Sequence, residues 1–422
     1  MKSSLLQNID LAPQLKAYPA AISEMLLELF TAVIAEIPNK YIYSILLLGS
    51  TSRGELSYIE TNDSLDIFSD FEFVVIEKSK IPSENLHAMQ HSLKELERVW
   101  QIKSPMFHID FGISSINKFK ITPRTFWSFE VKSTAIVIYG EDARKLLPKV
   151  TLENIDFGSL NELIFVRLWN MLLQISPRML AEKDNDYTRF VIQQAYARNI
   201  LDVISILLPN KGILSAGYEN RLRQFKKTSI SESWNEDTFK IEAATTYKLH
   251  PQKTSFSQIN FQGPFIDGYK KLLSDLTGEN FGEGGLSKIK SELFKEGTVR
   301  RLRRHYLEVK LFIKYYKCNF RKISLIFGDK IKIGITQILF DLHLASDLRL
   351  SQKKRLNHLI SAEICFKIIS NNFVAICKDD GDFDDRWESL RLALVDFMMP
   401  WFYGRSTVEK QEILDRINWR EQ

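Results

Sequence analysis

Ser69-Asp70-Phe71-Glu72-Phe73-Val74-Val75-Ile76 decides how the first part of this chain is read. An apolar run rich in β-branched and aromatic residues reads as a strand. Alternate side chains of a strand share a face, so Asp70 and Glu72 lie together while Phe71 and Phe73 face the other way. Two carboxylates that close repel, and they favour protonation unless a cation lies between them. Upstream, the apolar run Tyr43–Leu48 forms another strand, ending at Gly49-Ser50. That turn offers backbone and a hydroxyl to an anion such as phosphate. Downstream, Phe107–Ile113 reads as a third strand, with Asp110, His108 and Gly112 on one side. Ala135–Tyr139 is a fourth, ending at Gly140.

Helical spacing places a helix over residues 20–36, through Met25, Leu26, Leu29, Val33 and Ile34. Leu86, Met89, Leu93, Leu96 and Trp100 mark one face of another. Residues 55–69 read as a polar loop with a short helical start. They contain Asp63 and Asp66, set aside as the main acidic pair because neither precedes an apolar strand. From residue 160 the period becomes helical, over Leu160–Ile175 and Tyr187–Leu208. Residues 227–265 show no clear period, and Gly278–Gly285 reads as a loop between domains. Helices resume at about 300–317, 335–347, 351–371, 385–398 and 407–417. The expected class is α+β: an α/β head with a mixed sheet over 1–150, a helical domain with an irregular segment over 151–280, and a helical region over 281–422.

Strand, Gly49-Ser50, Asp70-Phe71-Glu72 and then Asp110 in Phe-His-Ile-Asp-Phe-Gly-Ile resembles the DNA polymerase β-type nucleotidyltransferase superfamily. The resemblance covers residues 40–140. Beyond them, Glu130-Val131-Lys132 and Ile138-Tyr139-Gly140-Glu141-Asp142 followed by helices are similar to bacterial members with an appended helical domain. One departure is the nineteen residues between Ser50 and Asp70, longer than in compact members. The resemblance implies that Asp70, Glu72 and Asp110 bind two Mg²⁺ ions, with Mn²⁺ as an alternative, and that Gly49 and Ser50 bind the triphosphate of an NTP. Arg53 either neutralises phosphate charge or forms an outward salt bridge. Oxygen donors suit Mg²⁺, and two such ions stabilise both the attacking and the leaving oxygen of an in-line displacement. The implied reaction moves a nucleoside monophosphate onto an acceptor hydroxyl and releases pyrophosphate. One variant is a synthase of cyclic oligonucleotides in bacterial defence; another is a catalytically silent module that binds a polyanion or nucleic acid. Tyr196 and Arg198 of the helical domain either reach the nucleotide from across the cleft or, the preferred reading, serve helix packing and surface pairing.

Hydrophobic content of 45% with 26% charged residues is that of an ordinary globular protein. No secretory signal follows Leu5-Leu6, and no apolar stretch reaches a bilayer span, so the reading is a cytoplasmic protein without a membrane partner. Cys318, Cys365 and Cys377 have no metal-ligand spacing. His87 and His91 are four apart on a helix but lack a third ligand, so a solvated face is the better reading. Residues 378–385 are rich in Asp, but a loop starting at Asp380 puts Asp385 and Arg391 where a calcium loop needs Gly and a carboxylate. Phe397–Phe402 reads as a buried turn.

Charge is uneven. Residues 288–332 hold fourteen Lys and Arg against four acids, a net +10 in a chain of net +5, which leaves −5 for the remainder. Arg303, Lys310, Lys314, Lys317 and Arg321 fall on one stripe, with Tyr315, Tyr316 and Phe320 interleaved. A solvated helix face is the default; the alternative is a surface for a polyanion or nucleic acid. If it binds a polyanion, single-stranded oligonucleotides bind the chain and are released as salt rises. Absence of binding in a fluorescence-anisotropy titration at low ionic strength removes that alternative.

Overall fold

The computed structural model describes residues 12–61, 64–155, 185–228 and 234–251, with positions 163, 231, 261, 268, 271 and 272. The chain divides into two compact units, Met1–Leu160 with Tyr196–Gly268, and Asn161–Ala195 with Tyr269–Gln422. The first unit holds the α/β head together with residues 196–268. The basic segment 288–332, the three cysteines, the acidic loop at 378–385, Phe397–Phe402 and the helix expected over Leu160–Ile175 lie outside the described residues, Leu163 excepted.

The head follows the order α1 (Ala20–Glu36), β1 (Ile42–Leu48), α2 (Gly49–Ser52), β2 (Tyr58–Glu60), β3 (Leu65–Ile67), β4 (Phe71–Glu77), α3 (Ser83–Gln101), β5 (Ile109–Ser115), α4 (Ile116–Lys120), α5 (Phe126–Thr134) and β6 (Ile136–Gly140). Four strands form one sheet in the order β5-β4-β1-β6. β1 runs antiparallel to β4 and β6, whereas β4 and β5 are parallel, joined through α3. The sheet is therefore mixed and the fold is α+β, as expected.

Pro19 precedes α1, and the helix stops before Ile37-Pro38, because a residue ahead of proline is driven to extended backbone. Ile22, Leu26, Leu29, Phe30 and Val33 form its buried stripe. That stripe shares one core with Ile45 and Leu47 of β1, Phe71, Phe73 and Val75 of β4, and Met89 and Leu93 of α3. Aromatic rings lock the layer: Phe71 meets Phe107 edge-on at 4.9 Å, and Phe73 stacks on Phe111 at 5.7 Å. The other face carries Leu46, Leu48, Val74 and Ile76, packed against Phe119 of α4 and Val131 of α5. Asp70 and Glu72 share that second face with Val74 and Ile76.

Residues 55–69 differ from the expected polar loop. They contain the antiparallel hairpin β2–β3, with Tyr58 opposite Ile67 and Glu60 opposite Leu65. Three-residue strands are too short to show a period of two, yet Leu56, Ile59 and Ile67 are all buried. The one-turn helix α2 begins at Gly49, ahead of that segment.

Beyond the head, α6 spans Asp186–Asn210 and crosses the division between the units. In the first unit follow α7 (Tyr218–Lys226) and then α8 (Asn235–Leu249), the latter within the stretch 227–265 that reads as aperiodic. Phe225 and Trp234 meet edge-on at 6.3 Å, and Lys226 pairs with Glu242 at 2.5 Å. No helix among the described residues is long and apolar enough to cross a membrane.

Gly140 ends β6 at φ +77°, where an added Cβ would fall 2.2 Å from the carbonyl oxygen of Tyr43. Backbone cannot yield as a side chain can. Gly140→Ala therefore destabilises the folded chain by about 2–4 kcal/mol, read as a lowered urea midpoint. An unchanged midpoint would show that β1 and β6 are not this close.

Candidate active site

Hydrogen-bond register assembles the site. Glu72 lies opposite Leu48 in the antiparallel pair and opposite Asp110 in the parallel pair. Gly49, the residue after Leu48, is thereby brought against Glu72, and Asp110 comes to its other side. β4 begins at Phe71, one residue later than expected, so Asp70 stands just outside the strand. β5 begins at Ile109 rather than Phe107, which keeps Asp110 within it. His108, Asp110 and Gly112 are all exposed, as the alternation predicts.

Gly49 has φ +68°, and a Cβ there would lie 2.8 Å from Glu72 Oε2. Glycine is required twice, by its backbone and by the carboxylate against it. Thr51 Oγ1 donates to the Asp70 carbonyl at 3.3 Å, tying α2 to the start of β4. Ser50 Oγ is buried and has no hydrogen-bond partner. A buried hydroxyl is normally satisfied, so this one has capacity for an oxygen-rich ligand.

The carboxylates sit in unlike electrostatic settings. Burial pushes Glu72 up, and Asp70 and Asp110 push it further, to about 7; Arg53 and the neighbouring Trp127 side chain oppose the shift. Burial also pushes Asp70 up, but His108, Arg198 and Lys248 outweigh it and hold its carboxyl below the ordinary value. His108 Nε2 lies 3.6 Å from Asp70 Oδ2.

Arg53 lies inside the protein, with a side chain 10% exposed. Its Nε donates to Glu55 at 2.6 Å and its Nη1 to Glu130 at 3.4 Å. Arg221 joins the same cluster: it pairs with Glu130, donates to Ser205 Oγ at 2.8 Å, and lies over the Phe126 ring. Burial, with Arg53 nearby, lowers the Arg221 guanidinium to about 9. Glu55 also accepts from the backbone N–H of Glu219 at 3.1 Å. The Arg53 guanidinium is thus held by two carboxylates of the chain itself, and its charge reaches Glu72 from within the protein.

Two contributors, Lys248 and Trp127, carry no sequence signal, and a third, Arg198, has a larger role than the sequence reading gives it. Lys248 of α8 is 7% exposed and donates to Ser69 Oγ at 3.2 Å, beside Asp70. Burial, reinforced by Arg198, lowers its ammonium to about 7, against the pull of Asp70 and Glu55. Arg198 was assigned to surface pairing, yet its charge acts on both Asp70 and Lys248. Trp127, 43% exposed, lies beside Glu72 and opposes the rise of its carboxyl. Tyr196 is 1% exposed, in keeping with packing. A buried lysine on a helix without a clear apolar period leaves no sequence signal. Asp66 lies within β3, where burial raises it to about 6, and His87 and His91 are on the exposed face of α3.

Among the described residues, no three His, Cys, Asp or Glu side chains gather into a metal-holding group. Asp70 faces His108 at 3.6 Å, and Asp70 and Asp110 both push the Glu72 carboxyl up. As a donor set, Asp70, Glu72 and Asp110 are all oxygen, which suits a hard divalent ion. The elevated Glu72 also marks a negative charge that its surroundings leave uncompensated. No family model, curated protein or solved structure matches the chain.

The raised Glu72 has a measurable consequence. Between its ordinary value of 4.5 and about 7, the folded protein binds more protons than the unfolded chain. Stability from this group is complete below that window and lost as pH rises through it. In metal-free buffer at pH 8, Glu72→Gln therefore melts higher than the parent, and the two converge toward pH 4.5. A lower melting temperature for the variant at pH 8 would contradict this.

Proposed function

We propose that the chain is a divalent-metal-dependent nucleotidyltransferase of the cytoplasm. It transfers a nucleoside monophosphate from an NTP to an acceptor hydroxyl. The observation that carries this reading is the register that puts Glu72 between Gly49 and Asp110, with Asp70 on the same face. The unpartnered Ser50 hydroxyl supports it.

Asp70, Glu72 and Asp110 would hold Mg²⁺ or Mn²⁺. When bound, the ions supply charge neutralisation at the phosphates and a more acidic acceptor hydroxyl. Ser50 donates to a phosphate oxygen, and Gly49 allows the phosphate close to the backbone. Arg53, held between Glu55 and Glu130, acts as a fixed positive charge behind the site. Asp110, the exposed carboxylate, accepts the proton of the acceptor hydroxyl and passes it to solvent. One bond forms, from acceptor oxygen to the α-phosphorus, and the α–β bridging bond breaks to release pyrophosphate. Acceptor choice separates a small-molecule or macromolecule transferase from a cyclic-oligonucleotide synthase.

The test is incubation of the full chain with each α-³²P-labelled NTP and Mg²⁺ or Mn²⁺, with products identified by mass spectrometry. Asp70→Asn, Glu72→Gln and Asp110→Asn each cut turnover by about 10³-fold or more, the scale at which a lost electrostatic contributor acts. Ser50→Ala costs about 10-fold. Full activity in Asp70→Asn or Glu72→Gln would overturn the assignment.

A further inference from the structure

Lys248 is a buried cation that the proposed chemistry leaves without a task. It is 7% exposed, and its one hydrogen bond among the described residues runs to Ser69 Oγ at 3.2 Å. No carboxylate among those residues lies within ion-pairing distance of its ammonium. Taking such a group out of water is expensive unless its partners repay the loss. The bond also joins residues 179 positions apart in sequence, one on α8 and the other at the entry to β4. A residue held there at a cost invites the question of what the bond secures.

Ser69 is itself buried and directly precedes Asp70. Its Oγ accepts a second hydrogen bond, from the backbone N–H of Ser57 at 3.2 Å. A serine oxygen has two lone pairs, and both are in use. Beside it, the Phe68 N–H donates to the Ser57 carbonyl at 2.8 Å. The Ser69 oxygen is therefore a junction of three segments: the arm leading into β2, the entry to β4, and α8. Asp70 comes next, ahead of the strand. The parallel pairing takes hold at Phe71, whose N–H donates to the His108 carbonyl at 3.1 Å. The Asp70 carbonyl accepts from Thr51 Oγ1 at 3.3 Å. Asp70 thus sits between the Ser69 junction and the first bond to β5, and the junction governs how the chain enters the row of carboxylates.

We propose that Lys248 is a positioning residue: by holding the Ser69 hydroxyl it lets α8 fix the backbone at Asp70, and so aim that carboxylate for a divalent cation. The inference rests on the nucleotidyltransferase reading for its consequence in turnover, but not for its consequence in cation binding. Two other roles for this lysine make different predictions. One that only packs α8 alters stability and leaves cation affinity alone. One that contacts the nucleotide alters KM. Removing a positive charge near a cation site would by itself strengthen cation binding, whereas loss of position weakens it. The sign of the change therefore separates charge from positioning.

The experiment is a calorimetric titration of Mn²⁺ into the full chain, its Lys248→Met and Ser69→Ala variants and the double variant, beside metal-free melting curves. Methionine keeps an unbranched stem and removes both the donor and the charge. Lys248→Met is expected to weaken Mn²⁺ binding by about 10-fold, the lower end of what residues behind a metal ligand contribute. It melts no lower than the parent, because the cost of the buried ammonium goes with it. Ser69→Ala weakens binding with the charge in place, and the double variant loses no more than the weaker-binding single one. With NTP, kcat falls while KM for the nucleotide holds, a split that neither a packing role nor a nucleotide contact produces. Should Lys248→Met melt much lower, Lys248→Gln, neutral and one atom shorter, repeats the measurement. Equal or tighter Mn²⁺ binding in the lysine variant, or additive losses in the double variant, overturns the inference. Binding that weakens as expected in a chain that turns over no NTP sustains the positioning role and defeats the activity. A parent chain that binds no Mn²⁺ overturns both.

Discussion

The pairing of three strands at Leu48, Glu72 and Asp110 is the constraint on which the rest of the site depends. A one-residue slip of β4 against either neighbour would move Glu72 to the face of Phe71 and Phe73, inside the core. Those aromatic residues resist the slip. Phe71 is fixed by Phe107 and Trp100, and Phe73 by Phe30 and Phe111. Core packing on one face thus sets the chemistry on the other. The cost is that Glu72 is carried into a half-buried position beside two further carboxylates, where it holds its proton to near neutrality.

Arg53, Glu55, Glu130 and Arg221 form the second organising feature of the first unit. Four charges are removed from water, which is expensive, and the arrangement is tolerable only because nearly every donor is matched. Arg221 reaches Glu130, Ser205 and the Ser215 carbonyl, and Glu55 reaches Arg53 and the Glu219 backbone. Gly217 is required where this cluster meets α7, since a Cβ there would lie 2.9 Å from Glu55 Oε1. Apolar replacements fill such a place well in general, but they would not fix orientation or put a positive charge behind Glu72.

Much of this was legible because the residues that matter lie on long strands and helices. Ala20–Glu36 was read to the residue, and β1, β4, β5 and β6 were placed within two residues. Alternation in Asp70–Ile76 correctly assigned the two faces. β2 and β3 were missed since three residues cannot establish a period, and α7 and α8 because buried polar groups interrupt their stripes. Arg221 and Lys248, both almost wholly buried, look like surface residues in a sequence. The Arg53 cluster was illegible for a further reason: Glu55, Glu130 and Arg221 are far apart along the chain, and only the fold brings them together.

The resulting asymmetry has a chemical meaning. Asp70 is surrounded by His108, Arg198 and Lys248, whereas Glu72 adjoins Asp70 and Asp110 with only Arg53 and the Trp127 indole in opposition. Positive charge supplied by the protein is therefore committed to one end of the carboxylate row. At the other end, burial with Asp70 and Asp110 favours a proton on Glu72. Under the proposed function, a divalent ion held by Glu72 would displace that proton, and its binding would strengthen as pH rises through neutrality. Asp70, held below its ordinary value, would offer no such proton. Under the proposed function, cation binding at this row would release a proton from Glu72, a consequence of where β1 ends and β4 and β5 begin.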